Sequence, residues 1–217
     1  MLKQFVNIFR TYRKSLIIII LLMIFYVFSL PKKLFKDPVS TVITSENNEL
    51  LGALIAKDGQ WRFPENHKIS NKFKTCITLF EDEYFYQHLG FNPVSILKAF
   101  WHNTQSYKTI RGGSTITQQL IRLYRKGKER TYSEKIIELI LATRLEIGVS
   151  KNKILSLYAS HAPFGGNVVG LDAAAWRYFG RSSINLSWAE TATLAVLPNA
   201  PSLIYPGKNQ QKLKLKR

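Results

Sequence analysis

Phe80-Glu81-Asp82-Glu83-Tyr84-Phe85-Tyr86-Gln87-His88-Leu89-Gly90 sets three consecutive acids between apolar and aromatic residues. Elsewhere acids are scarce, since the whole chain of 217 residues has 14 against 31 lysines and arginines. Aromatic neighbours withdraw water from a carboxyl, and like charges beside it act in the same direction. Both raise its pKa and suit it to moving protons near neutral pH. A solvated helix end is the plain alternative for such a triplet, and the rest of the chain decides between the two.

The formal net charge of +17 would suit a nucleic-acid binder, but its placement does not. Twelve of the 31 bases stand in residues 1–36 and 208–217, where there is no acid. The remaining 19 face all 14 acids, so the middle carries only +5. Basic termini fit a membrane surface and its lipids, and no nucleic-acid partner is expected. Cys76 is alone, which excludes an intramolecular disulfide. His67, His88, His102 and His161 lack ligand spacing, so no zinc site is expected.

Residues 15–30 read SLIIIILLMIFYVFSL, without charge, and close at Pro31-Lys32-Lys33. The run is slightly short of the roughly 17–25 residues of a full span, a gap that interfacial residues and snorkelling lysines can fill. No small-x-small cleavage pattern follows, which favours an uncleaved transmembrane anchor over a signal peptide. Four bases and no acid precede it, so residues 1–14 are expected in the cytoplasm and the remainder outside the inner membrane, as a single-pass type II protein. Residues 31–49 read as a linker, 50–207 as the folded domain and 208–217 as a basic tail.

After the linker, Leu50–Ala56 and Trp61–Phe63 flank Asp58-Gly59, a hairpin or turn signal. From Ser70 the pattern is mostly helical. Ser70 caps a helix running to the acidic stretch, and Asn92-Pro93 opens one through Trp101. Thr131-x-x-Glu134 and Ser187-x-x-Glu190 are capping-box patterns before helices at about Ser133–Ile147 and Trp188–Leu197. Ser150 caps a further helix through Tyr158, and Pro198 and Pro201 end the last. The class is mainly α with a small β portion near the anchor.

A second stretch, Arg111-Gly112-Gly113-Ser114-Thr115-Ile116-Thr117-Gln118-Gln119-Leu120-Ile121-Arg122, pairs glycines with hydroxyls and amides. Arg122, Arg125, Lys126, Lys128 and Arg130 carry the basic run. Such a set suits a ligand that is both sugar and phosphate, although a solvated basic face would read the same way. Gly-Lys-Ser/Thr is missing, so it is not a Walker loop.

Together, Glu81-Asp82-x-x-Phe85-x-x-His88-x-Gly90 and Gly112-Gly113-Ser114-Thr115-Ile116-Thr117-Gln118-Gln119 resemble the first two motifs of the peptidoglycan glycosyltransferases. These form the polymerising domain of class A penicillin-binding proteins and of monofunctional transglycosylases. Lys135-x-x-Glu138 resembles the third motif. Lys153-Ile154-Leu155-x-x-Tyr158, Phe164-Gly165-Gly166 with Tyr178-Phe179-Gly180, and Glu190-x-Ala192-x-Leu194-Ala195 resemble the rest. The resemblance covers about residues 50–205. Asp58-Gly59-Gln60-Trp61-Arg62-Phe63 and Ala162-Pro163-Phe164-Gly165-Gly166 look most like the 1C type.

The resemblance implies a lysozyme-like, mainly α domain that polymerises lipid II into β-1,4 glycan with inversion at the donor anomeric carbon. It implies that Glu81 is the general base and Glu138 the second catalytic glutamate, near the leaving diphosphate. It places Asp82, His88, Gly113, Ser114, Thr115, Gln118, Gln119, Arg122 and Arg130 at the substrate, the two arginines on the diphosphate. A divalent cation, Mg or Mn, is expected at the diphosphate, with its ligands unknown and no organic cofactor. Partners implied are lipid II, the growing lipid-linked glycan, membrane lipids and other cell-wall synthesis proteins.

The chain departs from the pattern at Glu134, where many relatives carry a base, and this puts the role of Glu138 in doubt. Asn92 replaces a frequent Asp, and Ala159-Ser160 a usual Leu-Asn. Ser95-x-x-Lys98 and Ser150-x-x-Lys153 spell a penicillin-reactive motif but lack its partners, so no penicillin binding is expected. Two other classes stay open: a lytic enzyme that cleaves glycan, and a non-catalytic membrane scaffold.

Overall fold

A computed structural model describes residues 2–47, 49–66, 68–97, 101, 113–126, 128–129 and 131–217, and of residues 2–11 the backbone alone. It divides into two compact units, Met1–Leu34 and Phe35–Arg217. The first is one helix, α1 (Leu2–Val27). Its apolar side chains are open, with Phe25 75% exposed and Phe28, just beyond, 79%. Among the described residues no helix is long and apolar enough to cross a membrane. Arg10, Arg13 and Lys14 interrupt the first half of α1, and its uncharged remainder is about 20 Å long at 1.5 Å per residue.

The second unit is mainly helical. After β1 (Thr41–Thr44) and β2 (Leu50–Leu54) come β3 (Trp61–Arg62), α2 (Asn71–Glu81), α3 (Ile116–Tyr124), α4 (Tyr132–Gly148) and α5 (Lys151–His161). Then follow β4 (Val168–Val169), α6 (Leu171–Phe179), α7 (Trp188–Ala195) and α8 (Gln210–Lys216). A helical stretch at 93–97 lies between α2 and α3. Helix starts follow side-chain caps: Ser70, Thr115, Thr131, Ser150 and Ser187 each accept the amide three residues on. Asn92 does the same for Ser95.

Four expectations are met only in part. Asp58-Gly59 makes a turn, but the flanking segments do not form a hairpin. β2 pairs antiparallel with β1, and β3 pairs parallel with β4. The turn signal is local, whereas the partner of β3 lies more than 100 residues away, in a region read as helical. At Thr131 the box is half made, because the Glu134 side chain turns to Arg125 instead of its own cap. Ser187 and Glu190 make the full box. The helix capped by Ser187, α7, stops at Ala195, ahead of the prolines, and the helix capped by Ser150, α5, runs on to His161.

α3 is the centre of the fold. Ile116, Leu120 and Ile121 are fully buried, and the helix packs on both α4 and α5. α2 buries Phe73 and Ile77, one turn apart, and packs on α7. Phe73, Phe85, Tyr158 and Phe164 are the large buried rings. This arrangement brings the end of α2 to the start of α3.

Candidate active site

Asp82 ends α2 and is 8% exposed. Its Oδ2 accepts the amide of Ile116, the first residue of α3, at 3.0 Å. A carboxylate there also meets the positive end of the helix dipole. His88 Nε2 donates to the same carboxyl at 3.0 Å, while the Gly90 amide donates to His88 Nδ1 at 3.1 Å. That second bond assigns the ring proton to Nε2. Gly90 takes φ 89, and a Cβ there would lie 2.7 Å from backbone atoms of Ala142. Its carbonyl accepts from Thr115 Oγ1 at 2.7 Å and from Gln118 Nε2 at 3.3 Å. The two sequence stretches are thus fastened together by Asp82, His88, Gly90, Thr115 and Gln118.

Beside this clasp, Glu81 is half-buried. Its Oε2 accepts from Gln119 Nε2 at 2.7 Å. The Gln119 amide is oriented from behind by Tyr158, whose hydroxyl donates to Oε1 at 2.9 Å. The other carboxyl oxygen, Glu81 Oε1, is buried without a hydrogen-bond partner. Burial pushes the Glu81 carboxyl above its ordinary value. Gln119, Lys216 and Asn199 pull it back, and the Asp82 charge adds to the rise. Tyr158 is buried, which holds its phenol well above the usual value and therefore protonated. A half-desolvated carboxylate with one unanswered oxygen can take a proton from a hydroxyl brought to it.

A cationic group forms the other end. Arg122 on α3 holds Glu138 on α4 by two parallel bonds, Nε–Oε1 at 2.7 Å and Nη2–Oε2 at 2.8 Å. Lys135 Nζ donates to Ser114 Oγ at 2.8 Å and Gln118 Oε1 at 2.6 Å, and stands 3.4 Å from Glu138 Oε2. Two cations therefore share one carboxylate, and the surplus suits an anion. Glu134 does not add to the acidity. It pairs through both oxygens with Arg125, whose guanidinium holds its carboxyl below the ordinary value. That pairing turns the Glu134 carboxylate to Arg125.

The site residues sort into groups. Glu81 and Gln119 form one hydrogen-bonded set, and Ser114, Arg122 and Glu138 are joined with Lys135 in another. Asp82, His88, Thr115 and Gln118, expected at the substrate, direct their polar atoms into the scaffold instead. Gly113 packs against the 93–97 helix, where a Cβ would lie 3.1 Å from the Ser95 oxygen. Arg130 and Gly112 lie outside the described residues. The sequence reading missed Lys151, which donates to the His88 carbonyl at 2.6 Å and to buried Glu146 at 2.8 Å, 4.4 Å from the centre of the Phe85 ring. Tyr158 stood within a motif, but its link to Gln119 was not legible.

For a divalent cation the fit is poor. Both Glu138 oxygens are taken by Arg122 and Lys135, and among the described residues no three His, Cys, Asp or Glu converge. A protein-only cage is not formed by this set.

Two helices are joined at an acid–amide clasp, with a desolvated glutamate on one side and paired cations on the other, an arrangement suited to moving a proton beside a bound anion. The sequence model of the family described as Transglycosylase matches residues 47–217, and the chain belongs to that family. It is similar to penicillin-binding protein 1C of Escherichia coli (strain K12), 38% identical over 179 residues, 82% of this chain and 23% of the relative. It is 42% identical to the biosynthetic peptidoglycan transglycosylase of Alcanivorax borkumensis over 144 residues, 66% of this chain and 58% of the relative. Penicillin-binding protein 1A of Clostridium tetani is 32% identical over 184 residues, 83% of this chain and 23% of the relative. The chain thus spans about a quarter of two of these relatives and over half of the third.

Proposed function

We propose that the chain is a peptidoglycan glycosyltransferase that joins lipid-linked disaccharides into β-1,4 glycan with inversion at the donor anomeric carbon. The observation that carries the reading is Glu81 Oε1, a buried carboxylate oxygen with no partner at the end of α2. A sugar hydroxyl is a poor nucleophile and needs a positioned base. Glu81 takes the proton of the acceptor 4-hydroxyl as that oxygen attacks the donor anomeric carbon. The diphosphate leaves from the opposite face, so a single step inverts the centre. Arg122 and Lys135 meet the charge that builds on the diphosphate oxygens as the bond breaks. A divalent cation, if it takes part, is carried in by the diphosphate, and no step here depends on it.

Anchoring belongs to the same proposal. The open apolar face of α1 and its flanking bases support attachment to the inner membrane, where a lipid-linked substrate resides. The folded unit then works on the outer side, with lipid II and the growing glycan as partners.

The test is to incubate the purified chain and Glu81→Gln with labelled lipid II. Long glycan from the wild type is expected, with turnover about 10²–10⁴-fold lower in a folded Glu81→Gln. Released muropeptide would favour the lytic class, and no product from the wild type would favour a scaffold. Unchanged turnover in Glu81→Gln would remove Glu81 from the chemistry.

A further inference from the structure

One cation reaches the base from outside the family motifs. α8 reads Gln-Gln-Lys-Leu-Lys-Leu-Lys and turns one leucine inward: Leu213 is 4% exposed, whereas Leu215 is 89%. That burial fixes the rotation of the helix. Lys216 lies three residues beyond Leu213 and shares its face. Its ammonium donates to Asn199 Oδ1 and stands 5.8 Å from the centre of the Phe80 ring. Phe80 adjoins Glu81 in the chain, and Asn199 faces the Glu81 carboxyl. Lys212 and Lys214 of the same helix are exposed.

We propose that Lys216 is a positioning residue for the base: Asn199 and the Phe80 ring hold its ammonium at the end of α2 that carries Glu81. The inference rests on Glu81 acting as the base. The groups that act on Glu81 come from every side. Asp82, at the same helix end, opposes ionisation. Gln119 on α3 supplies a hydrogen bond, and Tyr158 on α5 faces it as a neutral phenol. Asn199 faces the carboxyl with its amide, and Lys216 is the one cation among these groups of the described residues. Burial alone would leave Glu81 protonated over more of the pH range, and a base that already holds its proton cannot act. Lys216 offsets part of that rise. Its partners Asn199 and Phe80 set the direction of the long side chain.

The experiment is the pH–rate profile of glycan polymerisation by the full chain, at low and high salt. Wild type, Lys216→Met, Lys216→Gln, Lys216→Arg and Glu81→Gln are compared, each checked for folding by thermal melting. Loss of the charge raises the pKa of Glu81, so in Lys216→Met and Lys216→Gln the acid limb moves to higher pH, by about half a unit or more. Turnover falls most on that limb, and Lys216→Arg restores it. High salt moves the wild-type limb the same way and the Met limb less. Superimposable acid limbs in wild type and either neutral variant would overturn the inference, as would a loss uniform across pH. Should Glu81→Gln keep its turnover, the base assignment fails and this inference with it. An inactive Glu81→Gln beside unshifted Lys216 variants overturns the Lys216 role alone.

Discussion

Replacing Tyr158 with Phe tests whether the orientation of Gln119 matters to the base. The substitution keeps the ring, which is 1% exposed, and removes only the hydroxyl that donates to Gln119 Oε1 at 2.9 Å. Gln119 Oε1 then has no donor in a dry place, which costs about 1–3 kcal/mol of stability. The amide is also free to turn over and set its oxygen against Glu81, where its nitrogen now donates at 2.7 Å. Weakening that bond by about 1 kcal/mol lowers turnover roughly fivefold. The bond favours the ionised carboxylate, so its loss raises the pKa of Glu81. The base then carries its proton to a higher pH, and the acid limb moves upward. Thermal unfolding and a pH–rate profile on labelled lipid II read both effects. A folded Tyr158→Phe with unchanged turnover and an unmoved limb would refute the relay from Tyr158 through Gln119 to Glu81.

Arg122→Ala should lower turnover about 10²-fold at saturating lipid II in detergent, with Arg122→Lys milder because it keeps the charge and loses the fork; near-normal turnover would place the diphosphate elsewhere. Gly90→Ala should abolish soluble protein or lower stability by more than about 3 kcal/mol in chemical denaturation, since φ is 89 and Ala142 backbone lies 2.7 Å from the new Cβ. Gly52→Ala, with nothing within 4 Å of its Cβ, is the control, and equal effects would contradict the clasp. Lys151→Met should cost about 3–5 kcal/mol in the same assay, because Glu146, with a side chain 2% exposed, loses its cation; a loss under about 1 kcal/mol would mean the pair is not buried in solution.

The sequence made some of this legible and hid the rest for a physical reason. Helix starts were readable because a cap is a local bond, from Ser70 to Phe73 or from Ser187 to Glu190. The sequence singles out Glu81 by its acidic and aromatic neighbours, yet Phe80, Tyr84 and Tyr86 are exposed, and the burial that raises its pKa comes from the fold. What failed was non-local. The parallel pairing of Trp61 with Val168 has no signature in either segment. Lys151 meets the His88 carbonyl across 63 residues, and Tyr158 meets Gln119 across 39. His88 and Asp82 look like cleft residues in a motif, because a motif records identity without direction. Only the fold shows that their polar atoms point at each other and at the first amide of α3.

On the proposed function, the placement of Glu138 poses a sharper question: why a site for a diphosphate should contain an acid at all. Its carboxyl is 4% exposed, and burying it unpaired would be costly. The fork from Arg122 and the contact with Lys135 remove that cost, and they also work in reverse. Both are long cations on different helices; without this fork Arg122 would swing into solvent and lose entropy on binding an anion, while Lys135 is held by Ser114 and Gln118 as well. Glu138 fixes both before substrate arrives, so little reorganisation remains when charge develops. Because two cations share one carboxylate, the anchor does not cancel the field. Glu134 could have cancelled it, one turn away on the same helix, but Arg125 neutralises that acid. On the proposed reading the second glutamate serves the reaction by holding Arg122 in place, and the base on α2 is the acid with an oxygen that has no partner.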